Sequence, residues 1–112
     1  MPSSAGSAGR GKTARIIASI ADLPPGQMMG ISHGDKNILV ANYHGQYYAI
    51  GNSCTHLGCF LSAGILTGEK VECPCQGSVF NIMTGAVLLG PAEVPEPTYR
   101  VMVKGDQILL IK

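Results

Sequence analysis

All four cysteines of this 112-residue chain lie in two short segments, CTHLGC at residues 54–59 and CPCQGS at residues 73–78. We call these segments the first and second cysteine loops. Thiolate and imidazole groups are ligands that iron and zinc prefer in proteins, and each loop carries at least two cysteine or histidine side chains. The pattern therefore predicts a fold that brings the two loops face to face around a metal site.

The spacing Cys-x-His in the first loop and Cys-x-x-Gln in the second resembles the paired ligand loops of Rieske iron–sulfur proteins. In that family two cysteines bind one iron of a [2Fe-2S] cluster and two histidines bind the other iron. The resemblance implies that Cys54 and Cys73 are thiolate ligands and that His56 is an imidazole ligand. At the position of the family's second histidine, this chain has Gln76.

Gln76 is a poor chemical substitute for a histidine ligand. Its amide nitrogen is almost non-basic and its carbonyl oxygen donates weakly, which suits hard cations better than an iron–sulfur cluster. Three outcomes stay open: a cluster with a weak or water-completed fourth ligand, a cluster or single metal that takes Cys75 as substitute ligand, or a folded protein with an empty site. We interpret the chain as a ligand variant of an otherwise complete Rieske protein.

The resemblance also implies a role for Cys59 and Cys75. In Rieske proteins of higher potential, the residues at these positions form a disulfide that ties the two cluster loops together, and we expect the same pairing here. The alternatives are two reduced, buried thiols, or Cys75 as a ligand beside Gln76. Soluble high-potential Rieske proteins of archaea, the sulredoxin type, are the relatives that this combination resembles most.

Four further residues match positions that surround the cluster in the family. Leu57 matches an apolar residue that shields the cluster from solvent, and Pro91 lies in a proline-bearing segment that covers one side of it. Ser78 matches a serine whose hydroxyl donates to a bridging sulfide and raises the potential. Phe80 stands where high-potential members often have a tyrosine, and because phenylalanine has no donor we expect a lower potential.

The remainder of the chain predicts an all-β fold. Short alternations of apolar and polar residues are punctuated by Gly, Pro, Asn and Asp, and no segment has a sustained helical period. We expect a small antiparallel sandwich or barrel of the Rieske type, with the two cysteine loops as a small cluster-binding subdomain. The predicted strands are 14–19, 27–32, 37–42, 46–50, 79–82, 86–89, 99–104 and 107–111.

The composition divides the chain into a tail and one domain. Residues 1–12 are rich in Gly, Ser and Ala and contain no apolar run, which predicts a flexible tail. Residues 13–112 are expected to form the Rieske-type domain, with the cluster-binding insert at about residues 52–92. We find no apolar run of the length that a signal peptide or membrane span requires, so we expect a cytoplasmic protein without a membrane span.

Charge and motifs exclude several classes of function. The net charge is +1, tryptophan is absent and no basic run occurs, so we expect no nucleic-acid binding. No nucleophile triad, phosphate-binding glycine loop or metalloprotease motif is recognisable, so we expect no catalysis by this chain alone. The resemblance implies one-electron transfer with redox partner proteins by a soluble ferredoxin, which we expect to be a monomer.

Two rival functions stay open from the sequence. The first is a mononuclear zinc or iron module with Cys54, His56, Cys73 and Cys75 as ligands, since three thiolates and one imidazole are an ordinary zinc set. The second is a metal-free β domain that acts as an interaction or regulatory subunit.

Overall fold

The computed structural model describes residues 14–55, 58–75 and 77–111, and over these residues the all-β prediction is confirmed. Within them the only helical segments are two single turns of 3-10 helix. The predicted tail at residues 1–12 lies outside the described residues. The strands are β1 (Ala14–Ser19), β2 (Met28–His33), β3 (Lys36–Tyr43), β4 (Gln46–Gly51), β5 (Ile65–Thr67), β6 (Lys70–Glu72), β7 (Val79–Asn81), β8 (Val87–Leu89), β9 (Thr98–Lys104) and β10 (Gln107–Ile111).

Six strands form the larger sheet, in the order β1-β10-β9-β4-β3-β2, and all neighbouring pairs are antiparallel. The hairpin between β3 and β4 turns at His44 and Gly45, whose φ angles are +54° and +87°. Positive φ at both central residues is the geometry of a type I′ turn, whose twist matches that of the flanking strands. The strands predicted at residues 37–42 and 46–50 are therefore joined as a hairpin.

Strand β3 separates two hydrophobic cores. Side chains alternate along a strand, so successive residues point to opposite faces of the sheet. Ile38 and Val40 pack into a first core that the strands of the larger sheet build, whereas Leu39 and Ala41 pack into a second core that the smaller sheet also lines. All four side chains are fully buried. Burial on both faces explains why β3 has a continuous apolar run.

The two outer strands of the larger sheet, β1 and β2, approach each other through Arg15. Its Nη1 lies 2.8 Å from His33 Nδ1 and 3.4 Å from the Ser32 carbonyl oxygen. The side chain therefore bridges the two edge strands of this near-barrel sheet. His33 ends β2 and contacts this arginine.

The smaller sheet has four strands in the order β5-β6-β7-β8. In the sequence these strands follow the first cysteine loop and precede β9 and β10. Strands β7 and β8 agree with the prediction. The hairpin of β5 and β6 was not predicted, because each strand has only three residues, fewer than an alternation needs to be recognised in a sequence. It turns at Gly68, which has a φ of +60°.

Candidate functional site

The first cysteine loop leaves the larger sheet at the end of β4 and is closed at its base. Ser53 and Phe60 form an isolated antiparallel bridge, and the Leu61 N–H donates to the Asn52 carbonyl oxygen at 2.7 Å. The buried Asn52 side chain makes two more bonds, accepting from the Ser62 N–H at 2.8 Å and donating to Ser62 Oγ at 2.9 Å. These bonds fix both ends of the loop to each other.

The second cysteine loop joins β6 to β7 and is closed by the Cys73 N–H, which donates to the Ser78 carbonyl oxygen at 2.7 Å. The turn passes through Gly77, whose φ of +76° is a left-handed conformation that glycine adopts without a steric penalty. Pro74 is exposed while Cys73 is buried. The loop therefore directs its first thiol inward, towards the second core.

The two predicted thiolate ligands, Cys54 and Cys73, are both free of disulfides and buried in the second core, at 3% and 2% exposure. The Cys75 N–H donates to Cys73 Sγ at 3.4 Å. Burial is the main cause that raises the pKa of Cys73; the Cys75 N–H opposes it, and the neighbouring Cys54 thiol raises the pKa further.

Two adjacent buried thiols fit one end of a metal centre. As thiolates they would repel each other in a core that contains little water, and a cation bound between them would remove that repulsion. The Cys75 amide aimed at Cys73 Sγ would stabilise a sulfur that carries negative charge. In donor type and placement, Cys54 and Cys73 therefore fit the thiolate-bound iron of a [2Fe-2S] cluster.

Cys59 and Cys75 form a disulfide with an S–S distance of 2.02 Å and a Cα–Cα distance of 6.3 Å. The bond connects the first cysteine loop to the second, as the resemblance implied. Because the Cys75 sulfur is engaged in this bond, the structure gives no support to Cys75 as a metal ligand or to the mononuclear site of three cysteines and one histidine.

Three predicted site residues, His56, Leu57 and Gln76, lie outside the described residues. Their roles as imidazole ligand, cluster shield and occupant of the fourth ligand position stay predictions. Each of them is a direct chain neighbour of a described residue of the cysteine loops, Thr55, Gly58, Cys75 or Gly77.

Residues 90–97, which we call the proline segment, are bound to both cysteine loops. The Ala92 N–H donates to Ser78 Oγ at 3.0 Å, and Thr55 Oγ1 donates to the Val94 carbonyl oxygen at 2.6 Å. Ser78 is fully buried, and because its oxygen accepts the Ala92 bond its own O–H is left to donate elsewhere. Pro91 is exposed and follows a cis peptide bond; its covering role stays a prediction.

Phe80 lies on β7 in the same core as the two thiols and is fully buried. Its ring offers them apolar contact and no hydrogen-bond donor. The side chain therefore helps to exclude water from the thiol pair, whereas its predicted effect on the potential stays a prediction.

Sequence reasoning missed Glu96, in the proline segment. Its carboxylate is 5% exposed, and Oε2 has no hydrogen-bond partner among the described residues. Burial raises the pKa of Glu96 to about 7, although the Thr55 N–H, a hydrogen-bond donor to it, acts in the opposite direction. Nothing in the sequence pattern indicates this burial, because an acid between two prolines is usually solvated.

Three comparisons with known proteins agree with this architecture. Residues 13–100 match the family model described as Rieske [2Fe-2S] domain. The ferredoxin component of biphenyl 2,3-dioxygenase from Rhodococcus jostii (strain RHA1) is 37% identical over 94 residues, which cover 84% of this chain and 88% of that protein.

Two solved structures are also similar. The ferredoxin of carbazole 1,9a-dioxygenase from Nocardioides aromaticivorans IC177 superposes with a TM-score of 0.83 at 30% identity, over 88% of this chain and 96% of that one. A ferredoxin solved in a complex of reduced oxygenase and oxidized ferredoxin in carbazole 1,9a-dioxygenase also has a TM-score of 0.83, at 31% identity, over 87% of this chain and 91% of that one.

Where the chain is described, none of its helical segments is long and apolar enough to cross a membrane.

Proposed function

The chain belongs to the Rieske [2Fe-2S] domain family, and from this premise we propose how its residues hold the cluster and which protein takes its electron. Membership of the family implies a [2Fe-2S] cluster as cofactor, which takes up and releases one electron when bound, in a carrier that is not catalytic alone. We assign Cys54 and Cys73 to one iron and His56 to the other. The observation that carries this assignment is the pair of buried, unoxidised thiols between two loops that a disulfide joins.

The residues around the two thiols have separate tasks in this proposal. Phe80 and the rest of the second core exclude water, which keeps the local dielectric low and makes each nearby dipole more effective. The Cys75 N–H and the free hydroxyl hydrogen of Ser78 supply two dipoles that favour added negative charge. Both groups therefore favour the reduced state and raise the potential.

Gln76 occupies the fourth ligand position and sets this chain apart from its family. Because an amide donates more weakly than an imidazole, we expect the cluster to lose iron faster than in a Gln76→His counterpart. The rival functions have less support. The zinc site requires the Cys75 sulfur, which is in the disulfide, and a metal-free module leaves the two buried thiols without a role. The archaeal high-potential subtype and the cytoplasmic location stay predictions.

The electron acceptor that we propose is the oxygenase component of a dioxygenase system. The relatives named above are ferredoxin components of such systems, and one was solved in complex with its oxygenase. Exposed apolar side chains lie beside the cysteine loops here: Phe60 follows Cys59, Val94 is bound to Thr55 through its carbonyl oxygen, and Leu89 pairs with Val79 just after the second loop. An apolar surface of this kind is suited to a protein partner.

Transfer to an oxygenase component tests this function. The reduced protein is mixed with a purified Rieske-type dioxygenase oxygenase, and the decay of the reduced EPR signal is followed. A Leu89→Glu variant, altered at a side chain that is 61% exposed beside the site, should transfer at least tenfold more slowly at an unchanged potential. The matched control is Ile16→Glu, at 55% exposure on β1, which should transfer as the wild type does. Equal rates for both variants would refute the proposed surface.

A further inference from the structure

The Glu96 carboxylate is directed into the protein from a fixed stretch of backbone. The Glu96 N–H donates to the Gly85 carbonyl oxygen at 2.8 Å, and the next residue, Pro97, accepts from the Gly51 N–H at 2.9 Å. A Cβ atom on Gly51 would collide with Glu96 Oε1, so the carboxylate lies directly against the end of β4. Backbone bonds on both sides leave the side chain little freedom to turn towards solvent.

Several elements face this carboxylate, and among the described residues none of them brings a cation that compensates its charge. Gly51 presents only backbone to it, and from the first cysteine loop the Thr55 N–H donates to it. In the second loop, burial first of all, and to a smaller extent the charge of Glu96, raise the pKa of Cys73. Cys54 lies beside Cys73, and His56, the other titratable residue of the first loop, is outside the described residues.

One of the two carboxylate oxygens of Glu96 has no hydrogen-bond partner among the described residues. This oxygen, Oε2, is buried. A buried carboxylate with one unpaired oxygen and no cation is unfavourable, whereas a carboxylic acid carries no charge there. Burial places the pKa of Glu96 near 7, so a modest change of charge nearby decides whether a proton is bound. Added negative charge at the thiol pair favours the protonated form.

We propose that Glu96 is a proton-binding site coupled to electron transfer. This inference rests on the proposed function. With a cluster held by Cys54 and Cys73, which would accept one electron from a redox partner, Glu96 Oε2 would take one proton from a solvent hydronium ion and form an O–H bond. On oxidation the electron leaves to the acceptor, that O–H bond breaks and the proton returns to water. The net charge of the buried region is then the same in both states.

Gln76 removes one titratable side chain from the predicted ligand set. Imidazole ligands take up protons when a centre is reduced, but a glutamine amide does not titrate near neutral pH. Only one imidazole, that of His56, stands in the predicted ligand set. Glu96 therefore supplies a proton site outside the predicted ligand set.

The test is the midpoint potential of the cluster-loaded protein as a function of pH, compared among the wild type, Glu96→Gln and Glu93→Gln. Glu93 is an exposed acid of the same proline segment and serves as matched control. Below about pH 7 Glu96 is protonated in both redox states, so it adds no slope. Above this pH the wild-type potential should fall with rising pH, at most by about 59 mV for each tenfold change in proton concentration.

We expect Glu96→Gln to lose the slope that begins near pH 7. Glu93→Gln should follow the wild type. An unchanged onset and slope in Glu96→Gln, in a protein that binds iron and is reduced reversibly, would overturn the coupling and leave the proposed function intact. A preparation that binds no iron and sulfide would instead refute the proposed function and the coupling with it.

A second readout does not depend on the variant. In a reduced-minus-oxidised infrared difference spectrum of the wild type at pH 8, a carbonyl band of a protonated carboxylic acid should grow on reduction. The band should move when glutamate is labelled with ¹³C, persist in Glu93→Gln and be absent in Glu96→Gln. If Glu96→Gln fails to fold, the labelled wild type decides alone: no glutamate band that follows the redox state would overturn the proposal.

Discussion

Removing the disulfide between Cys59 and Cys75 is expected to lower the free energy of unfolding by about 3 kcal/mol. The bond closes a loop with a sequence separation of 16 residues, and the chain-entropy model gives about 3 kcal/mol for a loop of that size at 25 °C. The cross-link acts mainly on the unfolded chain, because in the folded state the base of each cysteine loop is already closed by its own hydrogen bonds.

The assay is urea unfolding of the wild type, Cys59→Ser, Cys75→Ser and the double variant, followed by circular dichroism. Iron is removed first, so that cluster loss does not add a second transition. All three variants lose the same cross-link and should lose similar stability. In denaturant, the wild type should expose two reactive thiols, Cys54 and Cys73, and no more.

The single variants separate the disulfide from a ligand role of Cys75. If Cys75 bound metal, Cys75→Ser would lower the iron content of the freshly isolated protein while Cys59→Ser would not. A loss below about 1 kcal/mol in all three variants, or four reactive thiols in the denatured wild type, would refute the reasoning.

Three further perturbations have expected outcomes. Ser78→Ala leaves the buried Ala92 N–H without its acceptor and should destabilise by about 1–3 kcal/mol in urea unfolding, and voltammetry should show a lower potential; an unchanged potential would contradict the donor role. Phe80→Tyr places a donor beside the thiols and should raise the potential by about 100 mV at most; a fall would contradict it. In the iron-free protein, Glu96→Gln should gain stability over the wild type as pH rises from 4.5 to about 7. The gain should approach about 3 kcal/mol at pH 8, because the wild type must ionise a buried acid; a gap independent of pH would contradict it.

The order of strands along the chain could be predicted from the sequence wherever a turn residue marks the connection. His44-Gly45 and Gly105-Asp106 define hairpins because their backbone geometry is local. Strands β5 and β6 also pair across a two-residue turn, but each has only three residues, too few for an alternation to be recognised in the sequence. They hold together because Val71 packs against the second core, and that core exists only after the two sheets meet.

The thiol pair could be predicted from the sequence, whereas the burial of Glu96 could not. Cys54 and Cys73 belong to a ligand pattern that chemistry restricts to few residue types, so their spacing indicates their role. The burial of Glu96 depends on where the proline segment is bound to Thr55, Ser78 and Gly85, which are distant in the chain. Such a contact between distant segments leaves no periodic signal in the sequence.

The presence of a [2Fe-2S] cluster is tested by the iron, zinc and acid-labile sulfide content of the freshly isolated protein, with its reduced-state EPR spectrum, beside a Gln76→His counterpart. We expect about two irons and two sulfides per chain and a reducible signal in both proteins, with faster loss of iron to a chelator from the protein that has Gln76. Zinc in place of iron, or iron and sulfide in the Gln76→His counterpart alone, would contradict the claim that this chain carries electrons.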